Sequence, residues 1–335
     1  MIDRTSVFRR PFAGGARRCA LAAIPWLLSA ASPAVAAEFA LASGDTAIGS
    51  VTVYDTVAGD TLMDVARSQD LGFTQLMAVN RGVNPWMPGV GRQITLPNFY
   101  LLPNAPRRGI VIDLAAERLY YFPPDKSTVV ESYPIGIGVL GAVTPVGTTR
   151  IAAKVENPVW HPPPSIHAER PWLPEEIPAG PDNPLGAYAF RLGWPNYLIH
   201  GTNKPDGVGR NVSHGCIHLY PEDIEKLFNE VPVGTEVRVV GDNVRVAWVG
   251  GELFVEIHPT KEQGDELDIE GTLTPVRPPP HLKARVVAAA GDQIQRVDWS
   301  IVRRVADERT GVPTQVTGSE NASRWEKQPD KASLE

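Results

Sequence analysis

Apolar and polar residues alternate from Val51 to Tyr54, and apolar residues then recur at helical spacing at Leu62, Val65 and Ala66. Gly59-Asp60-Thr61 supplies a turn and an N-cap between them. Phe73 to Val79 predicts a second short helix, and Gln93-Ile94-Thr95-Leu96 a closing strand. Ser50 to Leu96 therefore reads strand, helix, helix, strand. Phe99 to Arg108 is a linker with Pro103 and Pro106. From Gly109 onward short strands prevail. Gly109–Asp113 and Arg118–Phe122 predict a hairpin, Val129–Ile137 a third strand, and Thr149–Lys154 a fourth behind the turn Thr144-Pro145-Val146-Gly147-Thr148. Tyr197–His200 and Glu236–Val240 read as strands, and Val244–Ile257 as a hairpin around Gly250-Gly251. Pro221 opens a helix with Ile224, Leu227 and Phe228 on one face. Glu156 to Gly193 is too polar and too rich in proline for regular structure, which predicts a binding loop or lid, with a solvated insertion as the alternative. Ile294, Val297, Ile301 and Val305 mark one amphipathic helix, and the tail is expected to be disordered.

Composition narrows the function. The 335 residues carry 32 proline and 30 glycine, which favours strands and turns over a helical bundle. Only Cys19 and Cys216 carry thiols, so neither a disulfide scaffold nor a thiolate-rich zinc domain is available. Arg9, Arg10, Arg17 and Arg18 precede an apolar run from Cys19 to Ala31, and Ala34-Val35-Ala36-Ala37 follows as a cleavage site. Residues 1–37 thus read as an export signal, placing the mature protein in the periplasm. Its removal deletes five basic residues and one acidic one, taking the formal charge from −6 to −10. A basic field for nucleic acid is excluded. Cys216 is then the one remaining thiol, in a compartment where cysteines pair.

That thiol lies in Ser213-His214-Gly215-Cys216-Ile217-His218, sixteen residues after His200-Gly201-Thr202-Asn203. A free cysteine with a pKa of about 8.5 is mostly protonated at neutral pH, so a nucleophilic role needs a base. His214 shares a face with Cys216 in an extended segment, and His200 ends a strand that can lie alongside. Gly215 leaves room for a substrate backbone, and the N–H groups of Gly215 and Cys216 can form an oxyanion hole. These types and spacings point to acyl transfer through a cysteine thioester. A metal set of His200, His214, Cys216 and His218, a bridge to another chain, and a buried apolar cysteine are the competing readings.

Ile199-His200-Gly201-Thr202-Asn203 with Ser213-His214-Gly215-Cys216-Ile217, and the Thr144-Pro145-Val146-Gly147 turn, resemble the L,D-transpeptidase catalytic domain. The Gly-Asp-Thr-Leu and Asn-Arg-Gly-Val-Asn-Pro-Trp segments resemble a lysin motif (LysM), a module that binds the glycan of peptidoglycan or chitin. The resemblance implies a mainly β, β-sandwich-like catalytic domain with a small α+β (βααβ) module. The implied order is a signal over residues 1–37, a lysin motif over 50–98, a catalytic domain over 107–241, an extension over 242–310 and a disordered tail over 311–335. It implies that Cys216 is the nucleophile, His200 the proton donor and acceptor, and His214 the group orienting the thiol, with Ser213 and Gly215 in the same loop. Gly201, Thr202, Asn203, Arg210 and His218 are then substrate-binding candidates, and neither a cofactor nor a metal is needed. The implied donor is a peptidoglycan stem tetrapeptide that loses D-Ala. The acceptors are another stem peptide (a 3→3 cross-link), a lipoprotein lysine, a D-amino acid, or water in an L,D-carboxypeptidase. A non-catalytic peptidoglycan-binding scaffold is the non-enzyme alternative. One position departs from the family: His218 stands where arginine is usual, so either activity is weaker and more acid-dependent or Arg210 or Arg191 supplies the charge, and His218→Arg is expected to raise turnover at neutral pH.

Overall fold

The computed structural model describes residues 37–139, 144–213 and 215–318; residues 1–36, which hold all but the last residue of the expected export signal, residues 140–143, His214 and residues 319–335 lie outside the described residues. Ala37–Ala40 forms β1, Ala47–Gly49 β2 and Thr52–Asp55 β3. Leu62–Ser68 forms α1, N-capped by Thr61, whose hydroxyl accepts from the Asp64 N–H at 3.1 Å. Phe73–Val79 is α2, and Gln93–Leu96 (β4) returns antiparallel to β3. Leu62, Val65, Phe73, Leu76, Ile94 and Leu96 close a small core of their own. Phe99–Leu101 (β5) then pairs with β2.

The predicted hairpin is β6 (Gly109–Asp113) and β7 (Arg118–Phe122), followed by β8 (Val129–Pro134) and the short β9 (Ile137–Gly138). Gly147–Glu156 forms the ten-residue β10. The segment Glu156 to Gly193, expected to be irregular throughout, holds a short helix, α3 (Pro164–Glu169), and ends in strand β11 (Tyr188–Leu192). Tyr188-Ala-Phe-Arg-Leu alternates as a strand should, and the surrounding prolines masked that signal. The chain continues through β12 (Leu198–His200), β13 (Asn211–Ser213), β14 (Ile217–His218), α4 (Pro221–Glu230) and β15 (Glu236–Val240).

Nine strands join in the order β1-β8-β7-β6-β15-β10-β11-β12-β14. The long β10 makes the sheet curl, because Gly147–Arg150 pairs with β15 and Ile151–Glu156 with β11. Ile110, Ile112, Leu119 and Tyr121 from one half thereby meet Phe190, Leu192, Ile199 and Ile217 from the other in one core, with Ile224 and Leu227 of α4. The mainly β class follows directly from this sheet.

Beyond it, β16 (Val244–Val249) and β17 (Glu252–Ile257) form the second hairpin. Helices α5 (Lys261–Glu270), α6 (Leu282–Ala290) and α7 (Trp299–Glu308) follow. The single helix expected from Gln293 is a 3₁₀ turn over Gly291–Arg296 and then α7, N-capped by Asp298. Residues 311–318, expected to be disordered, are packed: Thr314–Gln315 (β18) pairs with β17, and Val312 and Val316 are buried. Hydrogen-bonded β pairing and two buried valines outweigh the polar composition that signalled disorder.

Polar contacts tie these parts together. Arg245 of β16 bonds Asp113 of β6 and Glu256 of β17, all buried, and Glu256 Oε2 accepts from the Leu101 N–H at 2.7 Å. Burial alone would raise the Glu256 carboxyl, but Arg245 and His258 hold it below its ordinary range. The α+β module sits on the loop that feeds the site. The Thr74 N–H at the start of α2 donates to the Gly209 carbonyl at 3.0 Å, and Tyr220 Oη donates to the Leu71 carbonyl at 3.2 Å. Gly209 has φ +73°, and a Cβ there would lie 2.2 Å from Gly72 Cα, so only glycine permits this approach.

Candidate active site

Two neighbouring parallel strands build the site. β12 and β14 pair with Ile199 opposite Ile217 and His200 opposite His218. Side chains alternate along a strand, so Ile199 and Ile217 enter the core while His200 and His218 share the other face. Their rings stack with centroids 6.1 Å apart and planes at 26°. Cys216 precedes β14 by one residue, level with Leu198, and its Sγ lies 3.8 Å from the Asn196 carbonyl oxygen. The register thus brings Cys216, His200 and His218 to one face of one sheet edge.

Hydrogen bonding assigns the tautomers. His200 Nδ1 is 2.5 Å from the Gly201 carbonyl, and His218 Nε2 is 3.0 Å from the Gly207 carbonyl. A carbonyl only accepts, so Nδ1 of His200 and Nε2 of His218 carry the protons. Burial, then the neighbouring His218, lowers the pKa of His200 to about 3, and burial lowers that of His218 to about 4. Both rings are neutral at pH 7. His200 therefore presents a bare Nε2, the lone pair that a base needs. Burial also pushes the Cys216 thiol up, against an opposing hydrogen bond from the Leu198 backbone. The resting pair is neutral thiol and neutral imidazole, so a nucleophilic role for this thiol would need its proton to move during attack.

The loop before the thiol is braced from both ends. Ser213 Oγ donates to the Cys216 carbonyl at 2.6 Å and accepts from the Gly215 N–H at 3.3 Å. Thr144 Oγ1, buried, donates to the Gly215 carbonyl at 2.9 Å. Gly215 has φ +100°, a conformation that L side chains rarely adopt. His214 lies outside the described residues.

The other candidates occupy varied places. Gly201 lies against α4, where a Cβ would come within 2.9 Å of Ile224 Cγ2. Thr202 is buried and accepts from the Lys204 N–H at 2.9 Å. Asn203 donates to the Pro181 carbonyl at 3.2 Å, linking its loop to the Glu156–Gly193 segment. Arg210 is not gathered with Cys216 and the histidines; it is paired with Asp268 of α5 at 2.7 Å. Its neighbour Asn211 donates to Asp265 of the same helix at 2.8 Å. These bonds hold β13, which pairs with β9 and leads into Ser213.

Sequence reasoning missed Gly136, Gly207 and α5. A Cβ at Gly136 would meet the His218 ring at 2.1 Å, and one at Gly207 would lie 3.1 Å from His218 Nε2. His218 is therefore seated between two glycines, and a longer side chain at 218 is expected to press on the backbone of both. Only an unusual His218 could have pointed to such neighbours in the sequence.

The family model for the YkuD L,D-transpeptidase catalytic domain matches residues 107–239. The chain is 39% identical to the probable L,D-transpeptidase YcfS of Escherichia coli K12 over 77% of this chain and 81% of that one. It is 38% identical to the probable L,D-transpeptidase ErfK/SrfK of the same strain over 73% and 79%, and 40% identical to YbiS over 64% and 72%. The chain belongs to the L,D-transpeptidase family and is an enzyme of that class.

Proposed function

We propose that the protein is a periplasmic transpeptidase of the cell wall that works through a thioester on Cys216. In this reading His200 Nε2 takes the thiol proton as the sulfur attacks the carbonyl of a peptidoglycan stem tetrapeptide. The C–S bond forms, the C–N bond to D-Ala breaks, and His200 returns the proton to the leaving amine. An acceptor amine then attacks the thioester, giving a 3→3 cross-link or attachment to a lipoprotein amine, and the thiol recovers its proton. The observation that carries this reading is the register placing Cys216 on the same face as a neutral His200 whose Nε2 has no hydrogen-bond partner among the described residues.

The βααβ module supports a lysin-motif role in holding glycan. Its α2–β4 loop exposes Trp86 at 62%, Met87 at 75% and Val90 at 75%, and an open indole offers a sugar ring a stacking surface. Tethering to glycan would raise the effective concentration of the attached peptides. Incubation with purified disaccharide-tetrapeptides, with and without an added amine, tests the activity by product mass. Dimers lacking one D-Ala, or amine adducts, are expected. Tripeptide alone in both arms would mean that water is the acceptor, and unchanged substrate would leave a glycan-binding scaffold.

A further inference from the structure

We infer that Arg191 binds the C-terminal carboxylate of the acyl donor, a specificity role that rests on the thioester reading above. The sheet register places it. Arg191 of β11 is opposite Leu198 of β12, which is level with Cys216, while Phe190 is opposite Ile199 in the core. Opposed residues in a ladder share a face, so Arg191, Leu198 and Cys216 form one row on the face that carries His200 and His218. Two strand intervals, about 10 Å, separate the Arg191 backbone from that of Cys216.

Charge and exposure single it out. Arg191 is exposed, and among the described residues no carboxylate pairs with it. Arg210, the other cation considered, is tied to Asp268. Lys154 lies on the other face of the sheet, its Nζ 4.6 Å from the centroid of the Phe228 ring. His218, at the position where the family usually has arginine, is buried and neutral. In a donor held for attack by Cys216, the terminal carboxylate lies one residue, about 3.8 Å, past the scissile bond. A guanidinium extended along the row from Arg191 meets it there with two parallel hydrogen bonds.

The test compares a tetrapeptide ending in free D-Ala with the same peptide ending in D-Ala amide. For the wild type, kcat/KM for donor acylation is expected to favour the carboxylate by roughly ten- to a hundredfold. Arg191→Gln should reduce that preference to within about twofold, and Arg191→Lys should retain part of it. The Cys216→Ala variant, assayed for binding alone, should show the same preference in Kd and lose it when combined with Arg191→Gln. An Arg191→Gln enzyme that keeps the wild-type preference, or a wild type indifferent to amidation, overturns the role of Arg191. A wild type that binds the carboxylate form preferentially yet acylates neither peptide supports Arg191 and overturns the thioester reading.

Discussion

His200 and His218 stack face to face, 6.1 Å between ring centroids, each with one ring N–H spent on a backbone carbonyl. Neither imidazole is readily charged, since burial holds them neutral and a charge on one opposes a charge on the other. As the pH falls below 6.5 the unfolded chain gains protons that these two sites refuse. Stability present at neutral pH is therefore lost between about pH 6.5 and pH 3, by an amount on the order of a few kcal/mol. His218→Gln keeps a donor for the Gly207 carbonyl and does not titrate. Urea midpoints at pH 7 and pH 4.5 should differ less in this variant than in the wild type. Equal differences would show that His218 does not resist protonation in the fold.

A second prediction concerns the glycine beneath the ring. Gly136→Ala places a methyl 2.1 Å from the His218 ring and 2.6 Å from the Gly207 carbonyl. Overpacking of this kind costs about 1–3 kcal/mol. The loss should be partly reversed in a His218→Ala background, which a double-mutant cycle of denaturant midpoints checks. His218→Arg, which the family pattern alone would favour, is expected to lower stability and turnover for the same steric reason. Higher turnover at pH 7 in that variant would contradict the enclosed seat described above.

A third prediction addresses α5. Asp268 holds Arg210 three residues before Ser213, with both side chains largely buried. Asp268→Asn should cost about 1–3 kcal/mol of stability, between the values for exposed and buried pairs. Small misplacements of a nucleophile are expensive, so kcat should fall roughly tenfold while KM stays within about twofold. Asp268→Glu should recover part of kcat. Loss of stability with unchanged kcat would make the contact a fold brace without influence on the site.

The candidate nucleophile was legible in the sequence because the expected export signal leaves one thiol, and the histidines around Cys216 have few uses other than proton transfer or metal binding. The hairpin Gly109–Phe122 and the Thr61 cap were legible for local reasons, alternation and side-chain capping. Strand β11 was hidden by its proline-rich surroundings, and with it the row that carries Arg191. The protonation states were not legible at all. A histidine near a cysteine suggests an ion pair, whereas the depth of His200 and the desolvated thiol give a neutral one. Long-range partners such as Arg210–Asp268 and Gly136–His218 leave no periodic trace, since each depends on where the chain returns.

The most direct test of the central claim is the intact-protein mass after brief incubation with a stem tetrapeptide and no acceptor amine. The wild type should gain the mass of the tetrapeptide less D-Ala, held on Cys216 and released by hydroxylamine. Cys216→Ala should gain nothing and lose at least about a thousandfold in turnover. Continued D-Ala release by Cys216→Ala, or an adduct mapping to any other residue, would contradict a thioester on Cys216.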